Sequence, residues 1–269
     1  MKWVRFEDQD TPRFGVLNQD TITATALTWT EILAGRTPDA GSKIKLDQVH
    51  LLAPVERPAK VVAIGLNYWD HCRETNTPPP SRPIVFTKFS TAIIGPGTPI
   101  TWSGALTREV DYEAELAVVI GQTARRVPED RALDYVFGYT AANDVSARDL
   151  QFSDGQWVRA KSLDTFCPLG PVLVTADEIG DPQALAIRCE LNGQRVQDSS
   201  THEMIFGVAA LISFCSHAFT LEPGDVILTG TPHGTGAFRD PKLFMQHGDT
   251  VVVEIAGIGR LQNPCVVES

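Results

Sequence analysis

Twelve residues near the middle of the chain, Val110-Asp111-Tyr112-Glu113-Ala114-Glu115-Leu116-Ala117-Val118-Val119-Ile120-Gly121, constrain the fold more than any others. Read as a strand with period two, they put Asp111, Glu113 and Glu115 on one face and Tyr112, Ala114, Leu116 and Val118 on the other. At a rise of roughly 3.3 Å per residue, neighbouring carboxylates on that face stand about 6–7 Å apart at Cα. Three like charges so placed repel unless a cation lies between them, and hard divalent ions such as Mg²⁺ or Mn²⁺ take oxygen ligands of this kind. The competing reading is an acidic edge strand that discourages pairing between sheets. The run Leu116–Ile120 argues against it, being continuously apolar as in a strand buried on both faces. Carboxylates carried into such an interior need a metal or a fixed cation beside them.

The 269-residue chain can build one large domain, or a large domain with a small one. Residues 1–55 read as a small N-terminal domain and residues 56–269 as the body that carries the chemistry. A net charge of −10 disfavours nucleic acid and anionic membrane surfaces as partners. Five cysteines without a C-x-x-C pair read as free thiols in a reducing compartment. The N-terminus lacks the apolar run of a signal peptide, and no segment approaches the roughly 18 apolar residues of a membrane span. The expectation is a cytoplasmic protein.

Along the chain, Thr28 and Glu31 have the spacing of a capping box, with Trp29, Ile32 and Leu33 on one helical face and Gly35 as the stop. Val61–Gly65 is a buried strand candidate leading into a helix over 66–74. There His71 and Glu74, three apart, share a face. A carboxylate that orients an imidazole makes a general base; the alternative is an ordinary surface pair. Pro78, Pro79 and Pro80 end that helix, which as a short element before a turn could serve as a lid. Lys88, at the end of the strand 84–89, reads as a strand-edge lysine with a substrate contact as the alternative.

Small residues over 139–146 leave room near Asp144, which is a strand-end cap unless it joins Glu113 and Glu115 as a third ligand. Lys161 has two readings, a surface charge or the cation that neutralises a buried acidic cluster and a substrate carboxylate. Asn192-Gly193 marks a hairpin. Ser200 and Glu203 form a second capping-box pattern, expected to open an amphipathic helix through Met204, Val208, Leu211, Ile212 and Cys215. After the strand ending at Leu228, Thr229-Gly230-Thr231-Pro232-His233-Gly234-Thr235-Gly236 can aim backbone N–H groups and hydroxyls at an anion, yet lacks the Gly-Lys-Ser/Thr of a P-loop.

Five ordered motifs together resemble the fumarylacetoacetate hydrolase superfamily. They are Gly65-Leu66-Asn67-Tyr68 with His71 and Glu74; Val110–Leu116; Asn143-Asp144-Val145-Ser146-Ala147-Arg148-Asp149; Ala160-Lys161-Ser162 with Cys167-Pro168; and Thr229-Gly230-Thr231-Pro232 with Gly236. The likeness spans about residues 55–267. It implies an α+β protein built on a mixed β-sandwich roll, acting as a homodimer and holding one Mg²⁺ or Mn²⁺ on Glu113, Glu115 and Asp144. Asp111 falls outside that set. His71 and Glu74 would activate a water from a lid, Lys161 would share the catalytic work, and Gln151, Gly230 and Thr231 would bind substrate. In some relatives a basic residue stands where this chain has Leu66. The chemistry implied is cleavage of a carbon–carbon bond in a 2,4-dioxo acid such as an acylpyruvate, with the enolate stabilised by the metal. The alternatives are decarboxylation of oxaloacetate or isomerisation of a hydroxy-dienedioate at the same site, and a metabolite-binding protein without activity.

Overall fold

The structure is a computed structural model that describes residues 1–39 and 41–268. Ala117 and Val119 pack into one apolar cluster while Leu116, Val118 and Ile120 pack into another, so the strand Ala114–Ile120 is buried on both faces as its composition requires. It lies inside a large mixed sheet. On one side it pairs antiparallel with Val136–Asn143 and then Cys167–Thr175; on the other it pairs with Val226–Leu228, which runs parallel to Val61–Gly65, with Ile84–Lys88 beyond. A five-stranded sheet, ordered Gln194–Ser200, Ala186–Leu191, Thr250–Ile255, Gly259–Glu268 and Ile100–Ser103, lies against one face of the large one. Ile187, Cys189, Leu191, Val251, Val253 and Ile255 supply its side of the shared core. The result is an α+β sandwich in which helices are few and short.

The N-terminal strands are hydrogen-bonded into the same large sheet, with Lys2–Asp8 pairing antiparallel to Cys167–Thr175. The short helix Trp29–Leu33 has the expected capping box, Thr28 and Glu31 each satisfying the other's backbone, and Gly35 follows in left-handed conformation. Trp29 and Ile32 bury its inner face against the second cluster. The hairpin turn at Asn192-Gly193 has φ of +52° and +78°, which suits the two-residue loop between twisted strands.

Two expectations about elements change. The acidic stretch is not one strand: Val110–Asp111 pairs with Ser146–Ala147 in a separate two-stranded ribbon, and the larger strand starts only at Ala114. The second capping pattern does not open the long helix. Ser200 accepts from His202 N–H over a single 3-10 turn, Thr201–Glu203, and the helix Val208–Ala218 begins after Gly207. Met204 is instead tied to Tyr68 by an isolated bridge, while Val208, Leu211, Ile212 and Cys215 form the buried face as patterned.

Candidate active site

Four strand ends meet at one edge of the sandwich. The parallel strands Val61–Gly65 and Val226–Leu228 both deliver the chain there, Ala114–Ile120 starts there and Val136–Asn143 finishes there. Glu113 N–H donates to Asn143 Oδ1 at 3.0 Å and Asp144 N–H to Glu113 C=O at 2.9 Å, which locks the two acidic loops together. Ligand oxygens of Glu113, Glu115 and Asp144 consequently lie within 4.8 Å of one another, all buried. Asp111 points elsewhere. It accepts Gly236 and Ala237 N–H at 2.7 and 2.9 Å, and Arg148 Nε at 2.8 Å.

Three cations were placed among these acids. Lys161 Nζ donates to Glu113 Oε2 at 2.7 Å and to Asp144 Oδ2 at 3.0 Å. Arg148 Nη1 reaches Glu113 Oε1 at 2.8 Å and Gln151 Oε1 at 2.8 Å. Lys88, read from the sequence as a strand-edge residue, is buried and bonds Asp144 Oδ1 and Val145 C=O. Sequence reasoning gave no role to Arg148 and the wrong surroundings to Lys88. Arg148 stands in the family-like motif Asn143–Asp149, but nothing local in the sequence marks it as the partner of Asp111 and Glu113.

Burial pushes the Glu113 carboxyl up, but the Lys161 ammonium and the Arg148 guanidinium outweigh it and hold Glu113 well below the usual carboxylate range. Glu115 goes the other way. Burial and then the charges of Asp144 and Glu113 push it well above its ordinary value, opposed by Lys161 and the Gly230 N–H. That N–H, at 2.8 Å, is the single hydrogen bond its carboxylate accepts among the described residues. Four buried carboxyl groups here (Asp111, Glu113, Glu115, Asp144) thus outnumber three buried cations (Lys88, Arg148, Lys161), and Glu115 is the one without a cation of its own. A compact set of hard oxygens with more carboxyl groups than cations fits a divalent cation.

A cavity of about 310 Å³ opens beside the cluster, lined on its inner side by Glu113, Arg148, Gln151, Lys161, Thr231 and His71. Its outer wall includes Leu66, Phe86, Trp157 and Phe238. His71 and Glu74 sit on the helix Trp69–Glu74, Nδ1 2.9 Å from Oε2, and the second Glu74 oxygen accepts Gly234 N–H at 2.8 Å. The predicted helix over 66–74 is shorter than expected, since Leu66 takes a left-handed backbone (φ +48°) and Asn67 turns inward to bond Phe206 and Thr229. The loop at 229–236 does aim its amides at anions, but these are the protein's own carboxylates: Gly230 serves Glu115, Gly234 serves Glu74 and Gly236 serves Asp111. Gly230 N–H is therefore engaged by Glu115, while the Thr231 side chain lines the cavity.

This sandwich with an acidic cluster at its strand ends is that of one enzyme superfamily. Residues 60–266 match the family model described as fumarylacetoacetate (FAA) hydrolase C-terminal, and the chain belongs to that family. Residues 1–54 match a model described as Rv2993c-like, N-terminal. Among curated proteins the chain is 51% identical over 220 residues, 81% of its own length and 69% of the other's, to the mitochondrial oxaloacetate tautomerase fahd2 of Xenopus laevis. Among solved structures it superposes over the full length of both chains on the fumarylacetoacetate hydrolase of Exiguobacterium antarcticum, with 40% identity and a TM-score of 0.91. The same full coverage holds for a 5-carboxymethyl-2-hydroxymuconate delta-isomerase from Mycobacterium smegmatis, at 41% identity and a TM-score of 0.87. The family thus supplies hydrolase, isomerase and tautomerase relatives. Among the described residues no helix is long and apolar enough to cross a membrane.

Proposed function

We propose that the protein is an enzyme that moves a proton at the carbon next to the keto group of a small 2-oxo acid, interconverting keto and enol forms of an oxaloacetate-like substrate. The observation that carries this reading is the inventory of unspent hydrogen-bonding capacity facing the cavity. Gln151 gives its oxygen to Arg148, which leaves its NH₂ free to donate. Thr231 Oγ accepts from Gln197 Nε2 at 3.0 Å, so its own proton is free. Lys161 has three protons and two carboxylate partners. Gln151, Thr231 and Lys161 all line the cavity, and three spare donors around one small space call for an anionic ligand rich in oxygen.

One group in the cavity offers the opposite capacity. With Nδ1–H directed at Glu74, the His71 tautomer leaves Nε2 as a proton acceptor. Glu74 holds the ring's orientation and favours the imidazolium that forms when Nε2 takes the proton. Phe238 packs edge-on against the His71 ring at 5.4 Å and helps to keep water from it. Lys161, which lines the cavity, would offer its third proton to the 2-oxo oxygen as that atom gains negative charge. Held by Glu113, Glu115 and Asp144, a Mg²⁺ or Mn²⁺ ion would supply Lewis-acid stabilisation of that charge.

Hydrolysis of a carbon–carbon bond in a 2,4-dioxo acid is the second reading, supported by the full-length likeness to a fumarylacetoacetate hydrolase. In it His71 Nε2 takes its proton from a water instead of from carbon. The two readings separate in a side-by-side assay of oxaloacetate enol–keto conversion and of acetylpyruvate and fumarylpyruvate cleavage. Each is run after chelation and again with Mg²⁺ or Mn²⁺ restored. Tautomerisation of oxaloacetate without cleavage of either acylpyruvate is expected; cleavage with no tautomerisation selects the second reading, and inactivity on all three with metal present refutes both.

A further inference from the structure

The helix Trp69–Glu74 carries the whole His71–Glu74 pair and has six residues. A helix of that length does not hold itself in water, because nucleation costs more than so few hydrogen bonds return. Asn76 follows it in left-handed conformation (φ +49°) and three prolines come next, so nothing extends it. Its start is anchored by Asn67, whose side chain bonds Phe206 N–H and C=O and Thr229 C=O. Beyond that point, side chains must fix its direction. The Arg73–Glu203 pair lies at the surface, with side chains 65% and 33% exposed, where an ion pair contributes little.

Asp70 is different. It is nearly buried and takes three donors from two separate elements. Ser199 Oγ, on the strand Gln194–Ser200, donates to Oδ2; His233 Nδ1 lies 3.0 Å from the same oxygen; His233 backbone N–H reaches Oδ1 at 3.3 Å. The neighbouring Gly234 N–H holds Glu74, so two consecutive residues of one loop grip the first and the last turn of the helix. The His233 side chain is 45% exposed, fills no core and does not line the cavity. Packing does not explain where it points.

We propose that His233 and Ser199, acting through Asp70, are positioning residues that hold this helix so that His71 faces the cavity. The inference deepens the reading of His71 as the proton carrier and rests on it only for its kinetic consequence. The structural consequence is independent of any reaction. Loss of the His233 tether frees the helix about its Asn67 anchor while the acidic cluster, which neither residue touches, stays as it is.

The test is amide hydrogen exchange on the full protein without substrate, comparing His233→Ala and His233→Asn with the parent. Cys72 and Thr75 N–H bond Tyr68 and His71 carbonyls within the helix, and Leu116 and Val118 lie in the central strand as reference. One lost hydrogen bond to a carboxylate is worth about tenfold in an equilibrium, so His233→Ala should speed exchange at Cys72 and Thr75 about tenfold with Leu116 and Val118 unchanged. It should lower kcat and leave Mn²⁺ affinity as it was. His233→Asn, whose amide presents an N–H near the place of Nδ1, should restore both. Unchanged exchange at Cys72 and Thr75 in His233→Ala overturns the proposal. So does acceleration that spreads equally to Leu116 and Val118, or a weakened Mn²⁺ affinity.

Discussion

Glu115 is the residue on which the charge balance of the site turns. Glu113 and Asp144 each face two cationic groups, whereas Glu115 faces none directly and has one amide N–H. Glu115→Gln should therefore weaken Mn²⁺ or Mg²⁺ binding by at least about a hundredfold, measured by calorimetry, because one of three hard ligands becomes a neutral amide. The metal-free fold should be no less stable by urea unfolding, since burial and the neighbouring acids already disfavour the Glu115 carboxylate and a neutral amide carries no such penalty. A metal-free variant less stable than the parent would show that a cation of the protein stabilises the Glu115 carboxylate. His71→Asn should keep metal binding and lower kcat by about 10²–10⁴, the range of a positioned general base. A variant with parental kcat would remove His71 from the mechanism. At this scale the acids could be picked out from the alternation of Asp111, Glu113 and Glu115 and from the family likeness. Which cation serves which acid could not, because Arg148 and Lys88 reach them across 37 and 56 residues of chain.

Among the elements, the loop at 229–236 does the most to assemble the site. Its glycines allow the backbone to approach other chain segments closely. Gly230 has φ +96°, and a Cβ there would lie 2.8 Å from Asn67 Cβ, the same residue that anchors the His71 helix. Gly230→Ala should cost about 1–3 kcal/mol in urea unfolding, from strained backbone and the displaced neighbour. It should also perturb Glu115 and the helix together, so metal affinity and kcat should fall in one step. Unchanged stability would mean that the loop relaxes freely. Local patterns marked several elements well: the capping box at Thr28, the Asn192-Gly193 hairpin and the doubly buried run Leu116–Ile120 all have causes within a few residues. The pattern at Ser200 was misleading for the same reason. A capping side chain needs only a turn after it, and Ser200 caps one that stops at Glu203 because residues 204–206 are drawn into bonds with Asn67 and Tyr68.

Across the whole molecule every cysteine is buried, Cys167 in the large sheet, Cys189 and Cys265 in the five-stranded sheet, and Cys72 and Cys215 on helices. Burial raises the thiols, Cys215 to about 11 and Cys167 and Cys265 to about 12, and Cys72 and Cys189 move in the same direction. A thiol raised in this way stays protonated at pH 8, and its thiolate appears only as the pH climbs toward the shifted value. The native protein should then leave a chromogenic disulfide reagent essentially unreacted at pH 8, with all five thiols titrating after unfolding; rapid reaction of any of them in the native state would contradict this burial. What the sequence determined by itself is whatever depends on neighbours along the chain: strand periodicity, caps, tight turns, the identity of the acids and the free state of the thiols. Tertiary structure alone decided that the acidic stretch breaks at Tyr112 and Glu113 and that Arg148 bridges Asp111 and Glu113 across the break, whereas the grouping of Glu113 and Glu115 with Asp144 was already implied by the family likeness. The pairing of Asp70 with His233 spans 163 positions, and no local preference encodes such a contact, because its free energy exists only once both strands that frame it are in the sheet.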